Sequence, residues 1–201
     1  MLLGGDAEWE DLNNDNIIDD QDRQIIGNAQ PDYYLGVVNN FSYKQFTLNV
    51  LVNATIGGQV YNSFKQNLVN NSSSNGPALP EAIWGAWVAQ GWAGATYPYF
   101  PDIRGDTKGS LRASGNSYFI EDASFVRLTS ARLAYRFKQS LAKKAFLNNA
   151  SVYVYGTNLL TWSDYTGYDP EFSSANALQP GDDNGKYPKR REFGMGINIQ
   201  F

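Results

Sequence analysis

Hydrophobic and polar residues alternate with a period of two along much of this chain. From Phe46 to Ile56, the apolar series Phe46, Leu48, Val50, Val52, Ala54 and Ile56 interleaves with Thr47, Asn49, Leu51, Asn53 and Thr55. This is the pattern of a strand with one apolar and one mostly polar face. The final residues repeat it, with Phe193, Met195, Ile197, Ile199 and Phe201 on one side and Gly194, Gly196, Asn198 and Gln200 on the other. Three weaker stretches also read as strands. Tyr33–Tyr43 alternates with Asn39 as an interruption and joins the Phe46 strand through a tight turn at Tyr43-Lys44-Gln45, forming a hairpin. Phe125–Phe137 sets Ala131, Leu133, Tyr135 and Phe137 against Ser130, Arg132, Ala134 and Arg136, and Ser151–Trp162 is rich in β-formers.

The connections alternate in length. Tyr43-Lys44-Gln45 is very short and Lys138–Ala150 is moderate, whereas Phe64–Ser117 and Ser163–Arg191 are long and rich in Gly, Pro, Asn, Ser and Asp. Short turns at one end and long loops at the other are expected of an outer-membrane β-barrel. The aromatics fit two interfacial girdles: Tyr43, Phe46, Tyr135, Phe137 and Phe201 near the short turns, and Tyr61, Phe64, Tyr118, Phe119, Trp162 and Phe193 near the long loops. A soluble β-sandwich with an aromatic core satisfies the same periodicity. Against it, the polar faces carry Asn, Thr, Ser, Gly and a few Arg rather than the Lys and Glu usual on a solvated face. Within the first long loop, Leu79–Trp92 places Ile83, Trp84, Trp87 and Val88 at helical spacing, which predicts a short amphipathic helix. Trp84, Trp87 and Trp92 are candidate ligand or lid contacts, although aromatic packing within the loop explains them as well.

Composition narrows the function. The 201 residues include 16 Lys+Arg and 20 Asp+Glu, a net charge of −4, with neither Cys nor His. Disulfide frameworks, zinc fingers, thiol nucleophiles and His-dependent triads are therefore excluded. Net acidity and the lack of a basic cluster beyond Lys189-Arg190-Arg191 argue against nucleic acid. A two-carboxylate glycosidase needs no His or Cys, so Asp169/Glu171 and Glu121/Asp122 are the candidate catalytic pairs; neighbouring acids in loops are too common to support an enzyme. No run approaches the length of a membrane-spanning helix, and Met1-Leu2-Leu3 passes at once into Gly-Gly-Asp rather than the apolar stretch of a secretory signal, so the beginning of the protein is expected to lie outside this sequence.

One constellation carries metal chemistry. Asp11, Asn13, Asp15, Asp19 and Asp22 occupy positions 1, 3, 5, 9 and 12 of a twelve-residue loop, and Ile17 at position 7 offers a backbone carbonyl. This is the spacing of a calcium loop, in which alternate oxygen ligands converge on a hard cation. Two departures stand out: Asn16 replaces the usual Gly at the sharp turn, and Asp22 replaces the longer bidentate Glu. An acidic loop whose Asn and Asp only make turns gives the same pattern. The expected role is a structural Ca2+ pin, with no organic cofactor.

Several blocks in order resemble the C-terminal part of SusC/RagA-type TonB-linked outer-membrane proteins. They are Gly5-Asp6 with the acidic loop, continuing through Asp22–Asn28 to Pro31; then Phe41–Phe46; and Tyr118–Leu128, which is similar to that family's "YIEDGSFLRLKN" strand. Gly156–Trp162, Gly167–Glu171 and Tyr187-Pro188 follow, so the resemblance spans residues 4–201. Ala123 stands where Gly is usual, and Trp84–Trp92 matches no family pattern. The resemblance implies an all-β, antiparallel up-and-down transmembrane barrel of about twenty-two strands with a plugged lumen, of which roughly the last five are here. It also implies coupling to the TonB complex through an N-terminal region outside this sequence and a SusD-type lipoprotein lid. Import of glycans or peptides, the outer membrane of a Gram-negative bacterium and contact with its lipids follow from the same likeness.

With Phe201 at the periplasm as a signal to the barrel assembly machinery, the expected division follows. Residues 1–32 form an extracellular loop, 33–64 a hairpin, 65–117 a long extracellular loop and 118–138 a strand. Residues 139–149 are then a periplasmic turn, 150–162 a strand, 163–191 an extracellular loop and 192–201 the closing strand. Asn49, Asn53, Arg132, Arg136 and Asn198 are expected to face the lumen. The competing reading from another class is a secreted calcium-dependent carbohydrate-binding β-sandwich module.

Overall fold

The computed structural model describes residues 9–69, 79–80, 116–171 and 181–201. Its strands are β1 (Tyr33–Tyr43), β2 (Phe46–Ile56), β3 (Gln59–Tyr61), β4 (Ile120–Asp122), β5 (Phe125–Arg136), β6 (Asn149–Trp162) and β7 (Glu192–Gln200). Contacts divide the chain into two compact units. One comprises Ala29–Gln59, Asp122–Ser173 and Lys186–Phe201; the other comprises Met1–Asn28, Val60–Glu121 and Ser174–Gly185. The Trp-rich helix expected at Leu79–Trp92, with Trp84, Trp87 and Trp92, lies outside the described residues but for its first two positions.

The first unit is a five-stranded antiparallel meander in the order β1-β2-β5-β6-β7. Each strand pairs with the next described long strand in sequence, as an up-and-down wall requires. The β1–β2 hairpin closes through Lys44-Gln45, with Tyr43 opposite Phe46 and Lys44 at a φ of 54°. A positive φ at the first turn residue matches the right-handed twist of the flanking strands. At the other end of β2, Gly57 and Gly58 have φ values of 77° and 80°, and a Cβ on Gly57 would lie 2.2 Å from Asp32 Oδ2. Only glycine turns the chain there.

Register places the apolar positions on one face. Leu48 opposes Phe41 and Leu133; Leu133 opposes Val154, which opposes Met195. A second row runs Tyr43, Phe46, Tyr135, Val152 and Ile197. Nothing among the described residues of this unit covers these side chains: Leu35 is 51% exposed, Tyr43 70% and Met195 85%. A soluble sandwich buries one such face against a second sheet, whereas here the apolar face is open.

The alternation in β5 breaks at Thr129. Leu51 and Val52 are consecutive in β2 but oppose Ser130 and Leu128, so Thr129 is one residue too many against β2. In turn β6 carries an extra residue against β5, between Thr157 and Leu160. These bulges shift parity by one, so Val126 and Leu128 share the apolar face with Ala131 and Leu133.

The 118–138 span is not one strand. Ser117–Phe119 is a 3-10 turn, β4 follows, and β5 starts after a break at Ala123-Ser124. Asp122 Oδ1 accepts from Ser124 N at 2.8 Å and from Ser124 Oγ at 2.6 Å, a local turn that competes with strand continuation. Similarly, 139–149 contains a short helix, Gln139–Lys144, with Ala142 buried, and 33–64 is a hairpin followed by β3 and the start of a helix rather than a hairpin throughout.

The second unit holds the acidic loop, the β3–β4 pair, helix α1 (Ser63–Val69) and Asp182–Gly185. Its small core contains Val69 and fully buried Phe119, with Tyr61 and Leu79 packed against them. Tyr61 and Phe119 are therefore core residues rather than part of an interfacial girdle. In the sheet unit, Phe193 opposes Gly156 one pair in from the long-loop end of the β6–β7 ladder, and Trp162 opposes Val126 at the long-loop end of β6. The short-turn aromatics do gather: Phe46 and Tyr135 lie 4.9 Å apart and Tyr135 and Phe137 5.2 Å.

Asn62 fixes the start of α1. It is 1% exposed, its Oδ1 accepts from Lys65 N at 2.8 Å, its backbone N donates to Phe119 O at 2.8 Å, and Nδ2 donates to Glu121 Oε1 at 3.3 Å. Lys65 Nζ meets the same Glu121 oxygen at 2.9 Å. Asn62→Ala is expected to cost about 1–2 kcal/mol through the lost cap. Hydrogen exchange at the Lys65 and Gln66 amides checks this: faster exchange in Asn62→Ala is the expected result, and unchanged exchange would show the cap to be idle.

Candidate functional site

The polar face of the sheet brings the expected side chains together. Asn49 opposes Arg132, and Arg136 opposes Ser151, which opposes Asn198. Asn53 opposes Arg127, so all five expected residues share this face with one that was not expected. Asn49 Nδ2 also donates to Asn40 Oδ1 across the hairpin. Tyr153 and Tyr155 lie over Gly196 and Gly194: a Cβ at either glycine would come within 2.4 or 2.5 Å of ring atoms. The Arg132 guanidinium sits 4.1 Å from the Tyr153 ring centroid, a cation–π contact that stiffens this stretch of wall.

At the long-loop end of this face is an ionic cluster. Arg127 is 2% exposed; its Nη2 pairs with Asp169 Oδ1, its Nη1 with Glu171 Oε2 at 2.7 Å, and its Nε donates to Thr161 Oγ1 at 3.0 Å. The guanidinium carbon lies 5.2 Å from the Phe125 ring centroid. Asp169 also accepts from the backbone N of Glu171 at 2.9 Å and of Lys189 at 3.0 Å, and Lys189 Nζ pairs with Glu171. The guanidinium thus ties the 169–171 stretch of the 163–191 connection to β5, and the two carboxylates in turn hold Lys189. In the sequence Asp169 and Glu171 stand out only as neighbouring loop acids. Both carboxylates are held by cations, which gives them a positioning role; Glu121 is likewise held by Lys65. The signal for Arg127 was its place as a lone charge among Phe125, Val126 and Leu128.

Beside this cluster is a cleft of about 370 Å³, whose walls include Asn158, Ser163, Tyr165, Tyr168, Lys189 and Arg191.

The acidic loop is folded on its own backbone. Asp11 Oδ1 accepts from Asn14 N at 2.7 Å and Asp15 N at 3.3 Å, and Oδ2 from Asn16 N at 2.8 Å. Asn14 and Asn16 take φ values of 61° and 63°, so Asn16 adopts the left-handed turn that Gly usually supplies. Asp15 Oδ1 accepts from Ile17 N, and Asp19 Oδ1 from Gln21 N, both at 2.8 Å. Asp22 spends both oxygens on the loop, accepting from Leu12 N at 2.9 Å and Asp19 N at 2.8 Å. The Asp19 amide is the main reason its carboxyl titrates below the ordinary carboxylate value; desolvation opposes it, and the Leu12 and Asn13 amides add further lowering. The oxygen donors suit a hard cation chemically, yet no three acidic side chains converge in a metal-binding arrangement among the described residues. Phe201, following β7, is 85% exposed.

No protein-family model matches the chain. Two TonB-dependent receptors of Formosa agariphila are each 33% identical to it, over 206 and 209 residues, covering all of this chain and 19% and 20% of their own length. TonB-dependent receptor SusC of Bacteroides thetaiotaomicron is 30% identical over 196 residues, 95% of this chain and 17% of that protein. Solved structures share the fold. The RagAB peptide importer in its "closed-closed" state aligns with a TM-score of 0.64 at 23% identity, over 89% of this chain and 18% of that one. The "open-open" state gives 0.59 at 24%, over 86% and 17%. The chain spans about a fifth of the length of these relatives. Its meander, with one apolar face open and one polar face, is a segment of an all-β barrel, and its sequence belongs with the TonB-dependent receptors of the SusC type.

Proposed function

We propose that the chain is part of the barrel wall of a TonB-dependent transporter in the outer membrane of a Gram-negative bacterium, importing glycans or peptides together with a SusD-type lid lipoprotein. The open apolar face carries the reading: side chains such as Leu35, Met195 and Phe193 are half or more exposed, and lipid is the solvent that removes the cost of leaving them bare. On this reading Asn49, Asn53, Arg132, Arg136 and Asn198 face the lumen, Phe201 engages the assembly machinery, and the TonB complex acts through another region of the receptor. The relatives support a receptor rather than an enzyme. Five strands alone leave two unpaired edges, so transport requires the remaining wall.

Expression of the receptor in a Gram-negative host tests this. The expected result is a heat-modifiable band in the outer-membrane fraction that needs detergent for extraction. A monomeric, cooperatively folded chain that is soluble without detergent would overturn the reading in favour of a secreted binding module. Uptake of labelled oligosaccharides against labelled peptides then assigns the cargo.

The acidic loop is proposed as a structural calcium site on the extracellular side, using Asp11, Asn13, Asp15, Asp19, Asp22 and the Ile17 carbonyl. Calorimetry on the intact receptor is expected to show saturable calcium binding that Asp15→Ala removes. An absent calcium signal, or one unaltered by Asp15→Ala, would sink the site. The loop also has a predicted pH dependence. Because Asp22 is held below its unfolded value of about 3.9, its contribution is present above that pH and is lost as pH falls through the lower folded value. Exchange of the Leu12 and Asp19 amides, corrected for intrinsic rates, is expected to accelerate in the native loop only once the pH has fallen below the ordinary carboxylate range. In Asp22→Asn it should be insensitive to pH over this range.

A further inference from the structure

We propose that the cleft beside the Arg127 cluster is a subsite for a carboxylate group on the imported molecule, with Arg191 as the residue that grips it. This rests on the transporter reading and adds to it the chemical class of one recognised group.

The argument begins with charge. Three cations border the cleft, Arg127, Lys189 and Arg191. The two carboxylates in the cluster, Asp169 and Glu171, are engaged by Arg127 and Lys189. Neighbouring Arg190 pairs with Glu192. Arg191 is left with no ion-pair or hydrogen-bond partner for its guanidinium among the described residues, on an exposed side chain that lines the cleft. The surplus is one positive charge, which a monoanionic carboxylate neutralises and a phosphate dianion would overshoot.

The second argument is preorganisation. Asn158, in the left-handed region at a φ of 50° within the β6 bulge, donates from Nδ2 to Arg190 O at 3.0 Å. On the other side, Lys189 N donates to Asp169 Oδ2 at 3.0 Å. The backbone leading into Arg191 is therefore fixed at two successive residues, so ordering on binding is confined to the Arg191 side chain. A guanidinium presents two parallel N–H groups that match a carboxylate. Tyr168, 60% exposed on the same cleft, offers an aromatic surface to a sugar ring or a peptide backbone next to the anion.

The carboxylate has two possible sources, a uronic acid within a glycan or the C-terminus of a peptide. Binding is therefore measured on the intact receptor in detergent with two matched pairs: a galacturonate trimer against a galactose trimer, and a tripeptide with a free C-terminus against its C-terminal amide. The expected result is preference for the acidic member of one pair, which identifies the source. Arg191→Gln should then weaken that acidic probe at least tenfold and leave its neutral partner unchanged, and Arg191→Lys should fall between. Equal affinity within both pairs, no binding of either acid at millimolar concentration, or a preference that survives Arg191→Gln would overturn the subsite. Outer-membrane insertion and heat-modifiability of Arg191→Gln are read in parallel. Normal insertion without acid preference rejects the subsite alone, whereas failure of the unsubstituted receptor to insert rejects the transporter reading beneath it.

Discussion

Arg127→Met is expected to destabilise the receptor by about 3–5 kcal/mol, because it strips the guanidinium from a carboxylate that stays buried. Asp169 is nearly as enclosed as its partner, with side-chain exposures of 10% and 2%. Its remaining hydrogen bonds come from backbone amides of the connection, which do not neutralise its charge. The loss should be local first: the 163–191 connection is tied to β5 through this guanidinium, so its protease sensitivity should rise before the barrel melts. Arg127→Lys separates charge from geometry, since one ammonium cannot serve Asp169, Glu171 and Thr161 in the fork arrangement seen here. An intermediate loss is expected. The denaturant midpoint of the receptor and the cleavage rate of the connection check both variants, and a midpoint unchanged in Arg127→Met would show that the cluster is dispensable.

Met195→Arg is expected to cost roughly 2–4 kcal/mol, the penalty for a cation on the lipid side of a barrel near mid-depth. In water the substitution would be nearly neutral, because Met195 is already 85% exposed. That contrast makes the position informative. Thr47→Glu, on the opposite face beside Ala134, should change stability by less than about 0.5 kcal/mol, as most surface substitutions do. Folding yield into lipid vesicles and resistance of the folded band to heat measure the difference. Equal tolerance of both substitutions would mean that the apolar face does not contact lipid.

The parts of this fold legible in the sequence are those whose signal is local. The β1–β2 hairpin and β7 announce themselves because a period of two is carried by consecutive residues. The first half of β5 was obscured, since the Thr129 bulge changes which parity faces outward, and a strict alternation cannot run through an extra residue. The β3–β4 unit was missed for a different reason. Its strands have three residues each, and its order comes from distant pairings such as Phe64 N to Asp183 O at 3.0 Å. Aromatic composition was ambiguous in the same way: Phe119 and Tyr43 look alike in sequence, but one is fully buried and the other lies on the open face. The polar-face residues Asn49, Arg132, Arg136 and Asn198 were readable from alternation, whereas the Arg127–Asp169 pairing joins residues 42 apart that no periodicity connects.

The central claim is that the two faces of this sheet meet different solvents, and nitroxide scanning along β2 tests it most directly. The chain contains no Cys, so a single Cys introduced at each of Leu48, Asn49, Val50, Leu51, Val52 and Asn53 adds one labelling site to this segment. In the receptor embedded in vesicles, collisions with oxygen report lipid and collisions with a water-soluble nickel chelate report water. The account predicts a period of two in both, with opposite phases: oxygen maxima at Leu48, Val50 and Val52, and nickel maxima at Asn49, Leu51 and Asn53. Nickel access at every position, or oxygen access no higher at the apolar positions than at the polar ones, would contradict it.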